Sequence, residues 1–552
     1  MSCPTLATFK LPEIPNEPNH HYEPGSQSRV ALEAAIREMR AGMPYNVGPI
    51  VNGVEVKTGP TTNQIIPHDH QSVLCKFHTA SPELISKAID DSLVAKAAWE
   101  AMPFNDRSAI FLKAADLLAS PHWRYKIMAA TMLGQGKNAW QAEIDAAAEM
   151  CDFFRFGVKY AEEMYAQQPP KNSAGVWNRV EYRPLEGFVY AVSPFNFTAI
   201  GGNLAGAPAL LGNVVLWKPS PMAVYANYLT YKLLEEAGLP KGVIQFIPVD
   251  ASNVEQVCNQ IFGHPDFASL HFTGSTAVFR KLWSDIAQGV SNGTLRSYPR
   301  VVGETGGKNF HLIHSSAPVR SSVLQSIRAG FEYSGQKCSA LSRLYVPESL
   351  WPTFKSTLLK EVAKLKVGSP EEWDSFTGPV ISQASYDKIM GLIKRAKDSG
   401  DDILIGGTGD ASKGFFIKPT IIVTRDPRSI TMTEEIFGPV ITTYIYPDAE
   451  FEKTCELIDS SSAYALTGSI FAADREAVIK ASNKLRRAAG NFYINSKCTG
   501  AVVGQQPFGG SRGSGTNDKA GSINLLYRFV NVRSIKEEFL PVSEAHYPSN
   551  LI

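Results

Sequence analysis

The chain has 552 residues, more than one simple core accommodates, and so predicts two to four lobes. Apolar residues make up 44% and charged residues 19%, the balance of an ordinary globular protein. With 54 Lys and Arg against 53 Asp and Glu, it carries no net field to draw nucleic acid or an anionic membrane.

Met1 to Gly25 is polar and proline-rich, with neither the apolar core of a secretory signal nor an Arg-rich amphipathic presequence. Ser81 followed by Pro82, Leu84, Ile85, Ala88, Ile89, Leu93 and Trp99 predicts a capped amphipathic helix. Further helices are predicted over 105–118 and 140–156. Apolar runs at 188–192, 214–217, 243–247 and 269–272 then alternate with helical segments at 222–237 and 254–262, the spacing of βαβ units on a parallel sheet. The stretch from Gly187 to Trp217 holds no charge and is long enough to span a bilayer. Pro194, Asn196, Gly201, Gly202 and Asn213 break it, so it reads as a buried strand–loop–helix–strand instead. A second alternating set begins at Phe310, with strands at 344–346, 403–405 and 441–445 and a helix at 354–365. The segment 167–184 and the tail after Asn531 read as hairpin or edge strands outside both lobes, candidates for subunit contacts.

The seven cysteines, Cys3, Cys75, Cys151, Cys258, Cys338, Cys455 and Cys498, form no C-x-x-C pair and are odd in number. This fits a reducing compartment rather than disulfides or zinc, and no metal-ligand cluster stands out. Most read as small buried apolar residues. Cys338 differs in following Gly335-Gln336-Lys337, where a neighbouring cation would lower a thiol pKa. Glu304, before Thr-Gly-Gly, places a carboxylate on a turn open to close backbone approach, suited to activating water or merely ending a strand. Asn196, after Ser193-Pro-Phe, offers a neutral donor at a predicted strand end, or an ordinary Asx turn. Gly274 and Ser275 lie between a strand and a helix, a possible anion site, although no G-x-G-x-x-G is present.

No one of these decides anything. In order, Pro-Phe-Asn196, Lys218-Pro-Ser220, Phe272-Thr-Gly-Ser275, Glu304-Thr-Gly-Gly-Lys308, Gly335-Gln-Lys-Cys338, Glu434-Glu-Ile-Phe-Gly-Pro439 and Pro507-Phe-Gly-Gly510 resemble the aldehyde dehydrogenase superfamily over roughly residues 40 to 540. The resemblance implies an α/β fold with a Rossmann-type cofactor lobe, an α/β catalytic lobe and a small β oligomerisation element. Its expected bounds are an N-terminal extension at 1–40, an NAD-binding domain at 41–166 and 185–303, and a catalytic domain at 304–500. The oligomerisation element and tail take 167–184 and 501–552, with 500–510 contributing a catalytic loop.

By the same resemblance, Cys338 is the nucleophile, Asn196 and the Cys338 N–H form the oxyanion hole, and Glu304 is the base for deacylation. Ser193, Lys218, Gly274, Ser275, Thr276, Ala277 and Val278 are expected around the cofactor NAD, with Glu435 and Phe437 at its nicotinamide side. Gly504–Gly510, Ser514–Lys519 and Gln141–Asp145 look like the glutamate-semialdehyde branch, the Δ1-pyrroline-5-carboxylate dehydrogenases. That branch oxidises L-glutamate γ-semialdehyde to L-glutamate in the second step of proline catabolism. It implies substrate contacts at Ser339, Gly500, Ala501 and Phe508, a homodimer or larger homo-oligomer that is not membrane-embedded, and the mitochondrial matrix, otherwise the cytoplasm. Phe279 stands where many members have glycine, Ala501 where the animal form has serine, and Pro221 where many NAD-preferring relatives have an acid. A broad-range aldehyde dehydrogenase, a cysteine hydrolase and a non-catalytic scaffold on the same fold are the rival readings.

Overall fold

A computed structural model describes residues 10–551. Two seven-stranded sheets carry the two lobes. In the first, strands run in the order Arg300–Glu304, Phe267–Thr273, Phe188–Val192, Val214–Lys218 and Ile244–Phe246, all parallel. Ile50–Val51 and Val54–Glu55 extend it antiparallel. These strands are apolar almost throughout, as a sheet covered by helices on both faces requires. The uncharged stretch forms strand Phe188–Val192, buried helix Thr198–Leu210 and strand Val214–Lys218. No helix among the described residues is long and apolar enough to cross a membrane.

The second sheet has the order Asp402–Ile405, Thr420–Thr424, Val440–Tyr446, Leu341–Pro347, Asn309–Ile313, Thr467–Phe471 and Asn491–Ile494, parallel but for its first strand. Outside both, Val176–Pro184 pairs antiparallel with Val530–Glu538 in a two-stranded ribbon. Ser81 caps helix Pro82–Ala101, accepting from the Leu84 N–H as the sequence suggests, and helix Phe104–Ala119 follows.

The helix expected over 140–156 departs from its outline. It begins at Ala139–Ala142, widens into a π-helical stretch at Glu143–Glu149 and continues as Met150–Tyr165. Inside that stretch Glu143 pairs with buried Arg124 and Asp145 with buried Lys137. π-Bulges of this kind recur at functional sites. The N-terminal segment lies along this helix: the Glu17 N–H donates to Asp152 at 2.8 Å, and the Glu17 carboxylate meets Arg124 and Arg155 at 2.7 and 2.6 Å. Cys3 lies outside the described residues. Cys75, Cys151, Cys258, Cys455 and Cys498 are buried, and Cys338 alone among the described cysteines is partly open.

Candidate active site

Helix Val319–Phe331 delivers the chain to a turn through Tyr333, Ser334 and Gly335, with φ of 52°, 52° and 67°. Two non-glycine residues in the left-handed region are strained, so their surroundings must hold them. The Tyr333 hydroxyl donates to the Gln135 carbonyl and the Ser334 N–H to Thr377 Oγ1, both at 2.9 Å. The Gln336 side chain accepts from the Ile381 N–H at 2.8 Å and donates to the Pro379 carbonyl at 3.1 Å. A side chain at Gly335 would collide with the Gly438 carbonyl. Cys338 follows, with its own N–H and that of Ser339 directed at the sulfur. Asn196, from the loop after strand Phe188–Val192, donates to the Gln336 carbonyl at 3.1 Å. Its second N–H is taken by no described residue.

The cation expected to activate the thiol faces elsewhere. Lys337 is buried and its ammonium lies 3.1 Å from the Glu332 carboxylate. Burial, then the carboxylates of Glu304 and Glu435, push the Cys338 thiol up, and the two backbone N–H groups pull it down by less. Adjacency in sequence does not put a lysine ammonium beside a cysteine sulfur.

Glu304 ends strand Arg300–Glu304, the last of the cofactor-lobe sheet. A segment from near the C-terminus laces it in place. The Thr516 N–H donates to the Gly303 carbonyl, the Thr305 N–H to the Ser514 carbonyl, and Glu304 bridges Gly515. Burial holds its carboxyl well above the usual range, opposed by Lys519 and the Gly510 N–H. Glu304 Oε2 is buried without a partner. A buried acid of raised pKa, with one oxygen free, can take a proton from water.

Ser193 and Lys218 end neighbouring strands, their backbones joined by a bond from the Ser193 N–H to the Lys218 carbonyl at 3.1 Å. Ser193 Oγ accepts from the Trp217 indole at 3.0 Å. The Lys218 side chain is buried, and its ammonium has no hydrogen-bond or ion-pair partner among the described residues. Gly274 leads into helix Thr276–Ser291, which Ser275 caps by accepting from the Val278 N–H at 3.3 Å, leaving Ala277 and Val278 exposed. Thr276 Oγ1 donates to the Gly513 carbonyl at 3.1 Å. Phe279 is buried against Phe272, ring centroids 5.4 Å apart, and fills the space over Gly303. Glu435 accepts the Gly307 N–H at 2.8 Å, and Phe437, at φ 58°, meets Phe195 edge-on at 5.9 Å. An unpartnered buried cation at the carboxyl ends of parallel strands, beside an open helix N-terminus, fits a dinucleotide.

The expected substrate residues form the other side. Ser339 Oγ and Thr499 Oγ1 share a hydrogen bond of 2.7 Å, which brings the nucleophile's neighbour against the 499–501 loop. Gly500 has φ +94° and is exposed, and Ala501 is half-buried. Phe508 is half-buried and pairs by backbone with Ala520 at 3.0 and 2.7 Å.

Several neighbours escaped the sequence reading. Lys137 and Asp145 form a fully buried pair at 2.7 Å. Asp145 also accepts the Thr198 and Ala199 N–H groups at 3.0 and 2.9 Å, and the Lys137 ammonium lies 3.8 Å from the Phe197 ring centroid. This fixes the loop bearing Asn196. Glu149, pushed up to about 8 by burial and Asp145, is within electrostatic reach of Lys337. Lys519 donates to the Gly490 and Gly509 carbonyls at 2.9 and 2.8 Å while facing Glu304. The Gln141–Asp145 and Ser514–Lys519 motifs contain two of these residues, but nothing local in them reveals partners so distant in the chain.

The family model described as "Aldehyde dehydrogenase family" matches residues 54–535. The chain belongs to the aldehyde dehydrogenase family. A protein of Agaricus bisporus named Delta-1-pyrroline-5-carboxylate dehydrogenase is 62% identical, with 100% of each chain covered. The human protein named Delta-1-pyrroline-5-carboxylate dehydrogenase, mitochondrial, is 47% identical over 97% of this chain and 94% of its own. The crystal structure of the Mycobacterium tuberculosis Delta-pyrroline-5-carboxylate dehydrogenase bound with NAD superposes with a TM-score of 0.94 at 44% identity, covering 99% of this chain and 100% of that one.

Proposed function

We propose that this protein is an NAD-dependent L-glutamate γ-semialdehyde dehydrogenase. It oxidises the open-chain form of Δ1-pyrroline-5-carboxylate to L-glutamate, the second step of proline catabolism. The observation that carries the reading is full-length similarity, from 47% to 62% identity, to proteins named for that activity.

Cys338 is the nucleophile. Its sulfur adds to the aldehyde carbon, and the carbonyl oxygen becomes an oxyanion that accepts from Asn196 Nδ2 and the Cys338 N–H. NAD, when bound, supplies the acceptor for the hydride that the adduct gives up. Lys218, Ser193, Gly274, Ser275, Thr276, Ala277 and Val278 hold its adenosine and pyrophosphate end, and Glu435 and Phe437 its nicotinamide side. The acyl group remains on Cys338 as a thioester. Glu304 takes a proton from water, the oxygen adds to the acyl carbon, and the thiolate leaves as L-glutamate forms. At the far end, Ser339, Gly500 and Ala501 receive the substrate carboxylate, and Phe508 packs on its aliphatic chain. One hydroxyl of the Ser339–Thr499 pair donates to the other, which leaves one donor for the ligand.

The division we assign is 41–166 and 185–303 for NAD and 304–500 for catalysis, with Glu304 itself closing the last strand of the cofactor-lobe sheet. The ribbon exposes Trp177 and Val532, which supports a subunit contact in a homodimer or larger homo-oligomer. The mitochondrial names of fungal and animal relatives support a matrix location. The test is NADH formation by the purified protein with the semialdehyde and with hexanal. The semialdehyde is favoured in kcat/KM by roughly a hundredfold or more, because hexanal has no carboxylate to accept from the donor of the Ser339–Thr499 pair and the loop amides. Efficient oxidation of hexanal would refute the assignment.

A further inference from the structure

Glu332 and Lys497 have no part in the chemistry above, yet they tie its two ends together. Glu332 stands where helix Val319–Phe331 passes into the nucleophile turn, and its side chain is 9% exposed. Its carboxylate accepts from the Lys337 ammonium at 3.1 Å and from Lys497 Nζ at 3.2 and 3.1 Å. The two cations hold Glu332 below the usual carboxylate range in spite of its burial.

Two lysine side chains share the one Glu332 carboxylate in a mostly dry corner, where burial works against the charge on Lys337. A carboxylate shared in this way leaves the more exposed of the two lysines with capacity for a second anion. Lys337 is 4% exposed and cannot meet a solute, whereas Lys497 is 25% exposed. Lys497 precedes Gly500 by three residues, and a Cβ on Gly500 would lie 3.4 Å from its Cε and 3.8 Å from its Nζ. The ammonium therefore borders the loop whose amides are read as receiving the substrate carboxylate. Amides offer only partial charges. A full cation beside them separates acidic aldehydes from neutral ones by charge, which a hydroxyl and two N–H groups do weakly.

We propose that Lys497, held by Glu332, is a specificity-determining residue that supplies the positive charge for the carboxylate of the substrate at the Gly500–Ala501 loop. The inference rests on the substrate reading given above. A purely structural staple between the nucleophile turn and the 491–501 segment would predict equal damage to every substrate.

The experiment compares wild type, Lys497→Met and Lys497→Arg in the full chain, with glutamate γ-semialdehyde and with propanal. In Lys497→Met the ratio of the two kcat/KM values falls about tenfold or more, chiefly through KM for the semialdehyde. Lys497→Arg keeps most of the ratio. Added KCl lowers the wild-type ratio, and this salt dependence is largely lost in Lys497→Met. The constant for L-glutamate inhibition of propanal oxidation rises in the Met variant by a similar factor. An unchanged ratio in Lys497→Met, equal loss for both aldehydes, or the same loss in the Arg variant would overturn the proposal. A wild-type enzyme that does not prefer the semialdehyde to propanal overturns the substrate reading instead, and does so before any variant is made.

Discussion

Glu304→Gln separates the two half-reactions because the structure gives Glu304 one oxygen to spend. Oε2 is buried and unpartnered, while the Gly510 N–H serves the carboxylate. Glutamine keeps the shape and can keep that bond through its carbonyl, but its amide cannot take a proton from water. General-base catalysis contributes about 10²- to 10⁴-fold, so thioester hydrolysis should slow by about 10³-fold, or roughly 4 kcal/mol of barrier. Acylation should change far less, because removing the Glu304 charge takes away one of the groups that push Cys338 up. Rapid-quench or stopped-flow measurement should show a burst of about one NADH per site, then a slow phase, with the acyl adduct visible by intact mass. The pH profile supplies the sign. In wild type, hydrolysis needs ionised Glu304, whose pKa is raised, so it falls as pH drops through a value above the usual carboxylate range. That limb disappears from the slow phase of Glu304→Gln. Steady-state turnover within tenfold of wild type, or a variant without a burst, would refute this assignment.

Ser339→Ala should raise KM for the semialdehyde by about tenfold while sparing propanal, since it removes one hydroxyl of the pair with Thr499; equal loss for both aldehydes would remove Ser339 from the carboxylate end. Lys137→Met leaves Asp145 buried without its cation and should destabilise the protein by about 3–5 kcal/mol in denaturant unfolding, and the double variant Lys137→Met/Asp145→Asn should recover part of that. A double variant as unstable as the sum of its parts would mean the pair is not coupled. Glu371, which accepts from Arg40 and from His68 at 2.8 Å, has its pKa held down at about 2. A depressed carboxyl contributes stability that is present above its unfolded pKa and lost as pH falls toward the folded one. The stability gap between wild type and Glu371→Gln should therefore be full above about pH 5 and shrink by up to about 3 kcal/mol on the way down to pH 2. A gap independent of pH in urea titrations would sink this.

What the sequence made legible was whatever one segment determines alone. Phe188–Val192 and Val254–Phe262 occupy the predicted ranges, because a buried strand and an amphipathic helix write their patterns locally. Helix Pro121–Gln135 escaped because it is buried nearly all round and so shows no period. Helix Gln27–Gly42 escaped for the opposite reason: only Leu32, Ile36 and Met39 mark its buried face in a polar segment. The site followed the same rule. The motifs singled out Cys338, Glu304 and Asn196 as candidates, but the Lys337 ammonium turned to Glu332, and the partners Lys519, Thr499 and Asp145 come from elsewhere in the chain. The π-helical stretch that turns Asp145 inward has no signature in composition.

Placing the proposed base and the proposed nucleophile together creates a conflict. Glu304 sits on the last strand of one lobe and Cys338 on a turn of the other, and the 513–516 segment fixes the first while Gln135, Thr377, Pro379 and Ile381 fix the second. Each of those bonds contributes only about 1 kcal/mol, but together they leave the carboxylate little freedom to withdraw. Held close enough to serve water at the acyl carbon, an ionised Glu304 opposes the thiolate that must form first. The raised pKa of Glu304 eases this opposition. Burial favours the neutral form of Glu304, and in that form one of the two carboxylate charges bearing on Cys338 is gone. Once sulfur is acylated it carries no charge, the opposition ends, and Glu304 is free to ionise as hydrolysis requires. The burial that raises both groups thus lets one carboxylate sit beside the thiol in the first half-reaction and act as base in the second.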